Sequence, residues 1–426
     1  MKSSEIKSKK SLQPQLRFPE FRDAGGWEEK LGDKLFDPIS NKKHNSDLPI
    51  LAITQEHGAI PRDKIDYRVS VTDKSIESYK VVEVGDFIIS LRSFQGGIEY
   101  SSYKGLCSPA YIILRRKRDD HEGFFKHYLK TNRFIKDLNK DIEGIRDGKM
   151  VSYDQFSNIL IPIPQSKKEQ KKISDCLSSL DELIEAEDQK LEALQHHKKG
   201  LMQELFPFDG QTLPRLRFPE FQSAPEWEEK PISSIGDIIT GSTPSTNQPQ
   251  YYGGKWQFTS PADIGNNRYI EATKTTLSDE GFAETRPVKA NSILFVCIGS
   301  IGKVAQNRER CATNQQINSI VPHATYSNSF IYFILEWHAN QIAEIAGNHV
   351  VPIINKSTFG AVKIRLPKLP EQERIAECLS AIADLITAQT KKLESLRLHK
   401  KGLMQQLFPN ASETENHNIN TNNQNQ

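Results

Sequence analysis

Three consecutive carboxamides, Asn314-Gln315-Gln316, form a chemically suggestive run in this chain. Each carries a donor beside an acceptor, a pairing that suits bidentate contact with the N6 and N7 edge of adenine. Ser300 and Lys303 lie upstream around a Gly-rich stretch, Gly299-Ser300-Ile301-Gly302, and Lys356 lies downstream. A hydroxyl and two cations could therefore join the amides, the cations on phosphates and the amides on base edges. Earlier in the chain Gln55, His57, Arg92 and Gln95 sit in polar stretches, Gln95 opening a second Gly-rich loop, Gln95-Gly96-Gly97. These residues are the binding candidates. Each of them could equally be a turn former or a satisfied core amide.

Catalytic patterns are missing. Gly299–Lys303 resembles a phosphate loop at a glance, but it lacks the GxxxxGK[ST] spacing and Val304 follows the lysine. No GxGxxG follows a strand-like run, and HExxH, GxSxG and Cys/His metal spacings do not occur. No catalytic or metal-binding residue is therefore assigned; the enzymatic alternative is a scattered nuclease carboxylate cluster. Cys107, Cys176, Cys297, Cys311 and Cys378 include no CxxC pair, which fits free thiols in a reducing cytoplasm.

The net charge is only +2, so whole-chain charge says little about nucleic acid, and local clusters matter more. The run Arg115-Arg116-Lys117-Arg118 reads first as a solvated strand end or loop rather than a phosphate clamp. Tyr251 and Tyr252 read as loop-packing aromatics, and His197 and His399, each before a Lys-Lys pair, as solvated. No apolar run approaches the ~18 residues of a membrane span. The opening MKSSEIKSKKSLQPQ has no apolar segment after it and so is not a secretory signal. A cytoplasmic protein with no membrane partner is expected.

The elements that must position the candidates are organised by an internal repeat. LRFPEF at 16–21, followed by Trp27-Glu28-Glu29-Lys30, recurs at 216–221, followed by Trp227-Glu228-Glu229-Lys230. The stretch 169–207 recurs at 371–409, ending in HKKGLMQxLFP both times. A period this long means a duplicated half-molecule rather than a solenoid. Between the repeats, 31–160 and 231–362 share a layout but little sequence. Each has a strand-like core run, 86–90 or 292–296, then a Gly-rich loop, then an IPIP or RLPKLP approach whose prolines end a strand and forbid an early helix start. Two enzyme domains could diverge in this way, but two readers of different targets explain it more directly.

The repeated stretches predict helices over 170–205 and 371–407. Leu177, Leu180, Ile184, Leu191, Leu194, Leu201 and Leu205 fall on heptad spacing, matched by Leu379, Ile382, Ile386, Leu393, Leu396, Leu403 and Leu407. Polar residues interrupt both seams in matching places, Glu187 and Lys198 against Gln389 and Lys400. Antiparallel pairing of the two helices within the chain is expected, with the polar positions helping to fix register. The other reading is a surface helix packed on its own domain. Cys176 and Cys378 read as packing residues flanking the seam.

These residues resemble the specificity subunit of type I restriction-modification systems. The Glu169-Gln170 and Glu371-Gln372 helix starts, the duplicated HKKGLMQxLFP ending, and 241–264 with 293–318 carry the resemblance. It implies an α+β fold in which two globular target-recognition domains are joined by two long helices in an antiparallel coiled coil with pseudo-two-fold symmetry. The boundaries expected are a disordered 1–11, a first target-recognition domain 12–165, the central helix 166–207, a second domain 208–366, the distal helix 367–409, and a disordered tail 410–426. It also implies a non-catalytic reader of a bipartite double-stranded DNA site. Two methyltransferase subunits would hold S-adenosylmethionine, and restriction/translocase subunits would use ATP and Mg²⁺. The first module departs from the pattern, with Ser108-Pro109-Ala110-Tyr111 set against Ala312-Thr313-Asn314-Gln315. Two alternatives differ in class: a self-contained endonuclease or methyltransferase, and a coiled-coil interaction protein that does not bind DNA.

Overall fold

The computed structural model describes residues 12–45, 47–65, 76–140, 151–265, 267–347 and 351–409. The segments expected to be disordered, 1–11 and 410–426, lie outside them. The chain divides into two compact units, Met1–Ala186 with Glu394–Gln426, and Glu187–Leu393. Both cuts fall inside the long helices, so each unit holds one module and part of each helix. No helix among the described residues is long and apolar enough to cross a membrane.

Each module is closed at its base by a short strand pair. Glu28–Leu31 runs antiparallel to Leu160–Ile163 in the first unit, and Glu228–Pro231 to Lys363–Leu366 in the second. Above this base the two central sheets share an order. The first runs Phe36–Ile39, Ile112–Arg116, Phe87–Ile89, Glu99–Tyr100. The second runs Gly236–Thr240, Ile317–Pro322, Ile293–Val296, Val304–Asn307, and adds Tyr269–Ile270 at its edge. The strand-like runs read from the sequence are thus the inner strands. They are apolar throughout because both faces are covered: Phe87 and Ile89 enter one core and Ile88 another, and Ile293 and Phe295 divide from Leu294 and Val296 in the same way.

The long helices span Lys167–Leu205 and Leu369–Leu407. The distal helix begins before Pro370 rather than after it. A proline in the first turn removes only an N–H that has no intrahelical acceptor, so it does not delay the start. In the first unit Ile173 and Leu177 of the central helix share a core with Leu403, Met404 and Leu407 of the distal helix, and Lys400 bonds Asp181. In the second unit Met202 and Leu205 share a core with Ile375, Ala376 and Leu379. There Gln389 Nε2 donates to Glu187, 2.6 Å to Oε2 and 2.8 Å to the carbonyl oxygen. In each unit the early part of one helix meets the late part of the other, which is antiparallel pairing. The same cores take in module residues, so in each unit the paired helix segments also dock on that unit's module.

The matched seam lysines do not make matched contacts. Lys400 bonds Asp181, whereas Lys198 leaves the seam for Glu336 of the second module, at 2.6 and 2.8 Å. Ala383 stands where the first copy has Asp181, and Lys130 stands in the first module where the second has Glu336. A cation at Lys130 would repel the lysine, and Asp181 supplies the missing counter-charge.

The other repeated motifs form a buried clamp that appears twice. Arg17 binds Glu169 through Nε and Nη2, each at 2.7 Å, and Trp27 Nε1 donates to the same carboxylate at 3.2 Å. Arg217, Trp227 and Glu371 repeat this at 2.8, 2.7 and 3.4 Å. The neighbouring glutamine joins module to helix: Gln170 Oε1 accepts from His121 N at 2.8 Å, and Gln372 Oε1 from Ser327 N at 3.0 Å. The closing Phe of each repeat completes a core, Phe408 against Trp27, Phe124 and Tyr128, and Phe206 against Trp227 and Phe330. The LRFPEF, Trp-Glu-Glu-Lys, Glu-Gln and Leu-Phe-Pro signatures are therefore the structural frame that holds each module.

Candidate nucleic-acid interface

In the second module four loops converge at one end of the central sheet. Cys297 follows the inner strand Ile293–Val296 and leads into the Gly299–Gly302 turn, with Gly299 at φ 77° and Gly302 at φ 93°. Beside it runs the Asn314–Gln316 turn: Cys297 N donates to Gln316 O at 2.8 Å and Gln316 Nε2 to Ile298 O at 3.5 Å. On its other side runs 351–355, where Gly299 N donates to Pro352 O at 3.1 Å and Ile354 N to Cys297 O at 2.8 Å. The fourth loop is 241–245, whose Thr243 Oγ1 donates to Gln315 Oε1 at 2.6 Å. Gly241 is required here, because a Cβ would lie 2.1 Å from Asn314 O.

The amide triplet is divided by this arrangement. Asn314 and Gln316 bond each other, Nδ2 to Oε1 at 3.0 Å, and Asn314 Oδ1 accepts the Gln316 N–H at 3.1 Å. They shape the turn, while Gln315 is exposed. Ser300 and Lys356 are also exposed on the same loop cluster, Lys356 just after the N-cap Asn355. Lys303 is turned aside: its Nζ donates to Pro261 O at 3.1 Å and Ile264 O at 3.0 Å, tying down a neighbouring loop. Behind the cluster, burial pushes the Cys297 thiol up to about 11, so it stays protonated.

In the first module the structure brings Gln55, Arg92 and Gln95 together. Gln55 sits on the turn between Leu51–Thr54 and Gly58–Pro61, and its Nε2 donates to Arg92 O at 3.3 Å. The Gln55 amide lies over Gly96, where a Cβ would come within 2.6 Å of it. Arg92 and Gln95 are exposed on this surface, and His57 is exposed two residues along the same hairpin turn. Gly97, at φ 81°, closes the turn as Gly302 does in the second module.

Strand register corrects one sequence alignment. Leu114 pairs with Phe87 as Ile320 pairs with Ile293, and Tyr111 N donates to Ser108 O as Ile317 N donates to Asn314 O. Ser108-Pro109-Ala110 therefore stand opposite Asn314-Gln315-Gln316, not opposite Ala312-Thr313-Asn314. The first module has no amides on this turn. The basic run is a set of structural ion pairs: Arg115 to Asp86, both bonds 2.8 Å, Arg116 to Glu122 at 2.9 Å, and Lys117 to Asp37 at 2.8 Å. Tyr252 packs its loop, donating to Pro244 O at 2.7 Å.

A family described as the type I restriction modification DNA specificity domain matches twice, at residues 32–196 and 225–398. The chain belongs to this specificity family. The type I restriction enzyme MjaVIII specificity subunit of Methanocaldococcus jannaschii is 26% identical over 374 residues, 82% of this chain and 84% of that one. The HindI specificity subunit of Haemophilus influenzae is 33% identical over 146 residues, 33% of this chain and 32% of that one. The fold is that of the type I S subunit crystallised from M. genitalium, with TM-score 0.61 at 16% identity, covering 94% of this chain and all of the other. The two matches cover 32–160 of the first module and all of 231–362, so each module is a specificity domain.

Other residues of these specificity domains were not legible as site residues. Thr243 orients Gln315, and the aliphatic side chains of Leu91, Val351 and Ile353 are more than half exposed on the loops. Sequence alone offers no signal for an exposed Ile or Leu, because an apolar residue reads as core until its neighbours are known.

Proposed function

We propose that the chain is the non-catalytic DNA-reading subunit of a type I restriction-modification complex, with each specificity domain reading one half of a bipartite double-stranded site. Two methyltransferase subunits carrying S-adenosylmethionine would methylate an adenine in each half-site. Restriction/translocase subunits using ATP and Mg²⁺ would act on unmodified DNA, all in the cytoplasm. One observation carries the reading: the base strand pair and four strands of the central sheet keep the same order in both domains, while the equivalent turns differ wholly in chemistry, Ser108-Pro109-Ala110 against Asn314-Gln315-Gln316. A duplicated frame with divergent surface loops is what two readers of unlike sequences require. Methylation of a base demands that it leave the stack, so the flanking duplex must be gripped while it does. The net charge of +2 suits a subunit whose partners supply part of the basic surface.

The test is to exchange 231–362 for the corresponding segment of a related subunit and map methylated sites genome-wide. One half of the recognised sequence should change and the other should persist. A simultaneous change in both halves would overturn the two-reader assignment.

A further inference from the structure

The second domain carries two aliphatic side chains that its own core does not use. Val351 and Ile353 are each 53% exposed, whereas Ile354 beside them is 2% exposed. They are not on a loose loop. Pro352 O accepts from Gly299 N at 3.1 Å, Ile354 N donates to Cys297 O at 2.8 Å, and Ile353 bridges Ile298 in antiparallel fashion. The segment is thus an added rib on the sheet end. Val351 and Ile353 are both more than half exposed on either side of Pro352, whose carbonyl is held by Gly299, so the two aliphatic side chains lie uncovered together. Both are β-branched and stiff at χ1, so little rotamer freedom is lost when they meet a partner. Around them stand exposed Ser300, Gln315 and Lys356, the polar groups assigned to DNA contact. The first domain shows the same pairing of types, with Leu91 51% exposed immediately before Arg92.

The major groove offers one apolar group to such side chains, the C5 methyl of thymine. We infer that Val351 and Ile353 are thymine-reading residues of the second domain, recognising A·T pairs of its half-site by contact with that methyl. This rests on the DNA-reading assignment above and names the chemistry by which part of the reading is done. The neighbouring amide and hydroxyl supply hydrogen bonds that an aliphatic pair cannot, and the aliphatic pair supplies the discrimination against cytosine that a lone hydroxyl cannot.

The experiment uses the full chain, alone or assembled with methyltransferase subunits, on duplexes bearing the site found by methylation mapping. Every thymine of the second half-site is replaced by deoxyuridine, which pairs identically but lacks the methyl. Fluorescence anisotropy should show binding weakened about four-fold per methyl contacted, the change expected for losing burial of one methyl-sized group. The paired variant Val351→Ser with Ile353→Ser removes every side-chain methyl that could meet the thymine. It should bind the thymine duplex as weakly as the unaltered chain binds the deoxyuridine duplex, and should no longer tell the two apart. Its circular dichroism spectrum and melting temperature should match those of the unaltered chain, which shows that the second domain is folded. The inference is overturned if the unaltered chain ignores the replacement, or if the variant discriminates as before. Failure of the DNA-reading assignment looks different: the unsubstituted site would then show no specific, salt-sensitive binding at all.

Discussion

Arg17 and Glu169 lie 152 residues apart in the chain and meet through two parallel bonds of 2.7 Å. The Glu169 side chain is 1% exposed, and the bond it makes holds the Arg17 guanidinium above its ordinary pKa. Trp27 adds a third donor to the same carboxylate. Removing one partner of a buried pair leaves the other charged and unsolvated. Glu169→Ala should therefore destabilise the first unit by about 3 kcal/mol or more, read by urea unfolding. Glu371→Ala should act on the second unit in the same way through Arg217. A loss below about 1 kcal/mol in both would show that the clamp is not a determinant of the fold.

Gly97 and Gly302 close equivalent turns with unequal room around them. A Cβ on Gly97 would lie 2.1 Å from Leu129 O, a backbone atom, whereas one on Gly302 would lie 3.1 Å from Ala339 O. Both have positive φ, which costs a substituted side chain about 1–3 kcal/mol before any clash. Gly97→Ala should therefore lower thermal stability clearly more than Gly302→Ala. Equal shifts in melting temperature would contradict the difference in packing.

His127 is buried at the helix interface, with Nε2 3.2 Å from Ser178 Oγ. Burial lowers its pKa to about 3; the Asp181 carboxylate works against that shift, and Lys400 and Lys126 add to it. The unfolded chain takes up this proton near pH 6.5 and the folded chain only near 3, so the native state is progressively disfavoured as pH falls between those values. The slope approaches about 1.4 kcal/mol per pH unit. The second domain holds Phe333 in the equivalent place. His127→Phe should flatten the stability profile of the chain between pH 6.5 and 3 relative to the unaltered chain, in denaturant titrations at fixed pH values.

Lys356 and Gln315 should separate affinity from specificity. A lysine on phosphate contributes counterion release, and loss of one contact lowers the slope of log K against log salt by about 1. Lys356→Ala should weaken binding to all sequences alike, with that reduced slope. Gln315→Ala should leave the slope intact and relax preference at one or two positions, with about 1–3 kcal/mol less discrimination there. If Gln315→Ala weakens every sequence uniformly, its amide serves the turn through Thr243 and does not read a base.

The duplicated frame was legible because it is written in repetition and periodicity. The heptads fixed both long helices to within a turn at their starts, and the inner strands appeared as uninterrupted apolar runs. The duplicated signatures pointed to two like halves, although their role as a clamp did not show until Arg17 met Glu169. Pro370 misled because a proline reads as a barrier to helix initiation, when in the first turn it obstructs nothing.

By itself the sequence determined two helices with matching seams, two modules on one frame, and the family to which the chain belongs. These follow from local patterns, and local patterns survive being read in one dimension. Tertiary structure alone decided which candidate groups face outward. It bonded Asn314 to Gln316 and left Gln315 exposed, drew Lys303 onto two carbonyls, and neutralised Arg115 with Asp86. It also placed Ser108 opposite Asn314 and left Val351 and Ile353 uncovered. Exposure and hydrogen-bond satisfaction depend on what other segments bring alongside a residue, and apart from the Asn314–Gln316 bond the partners here come from tens of positions away. No spacing within a loop records that.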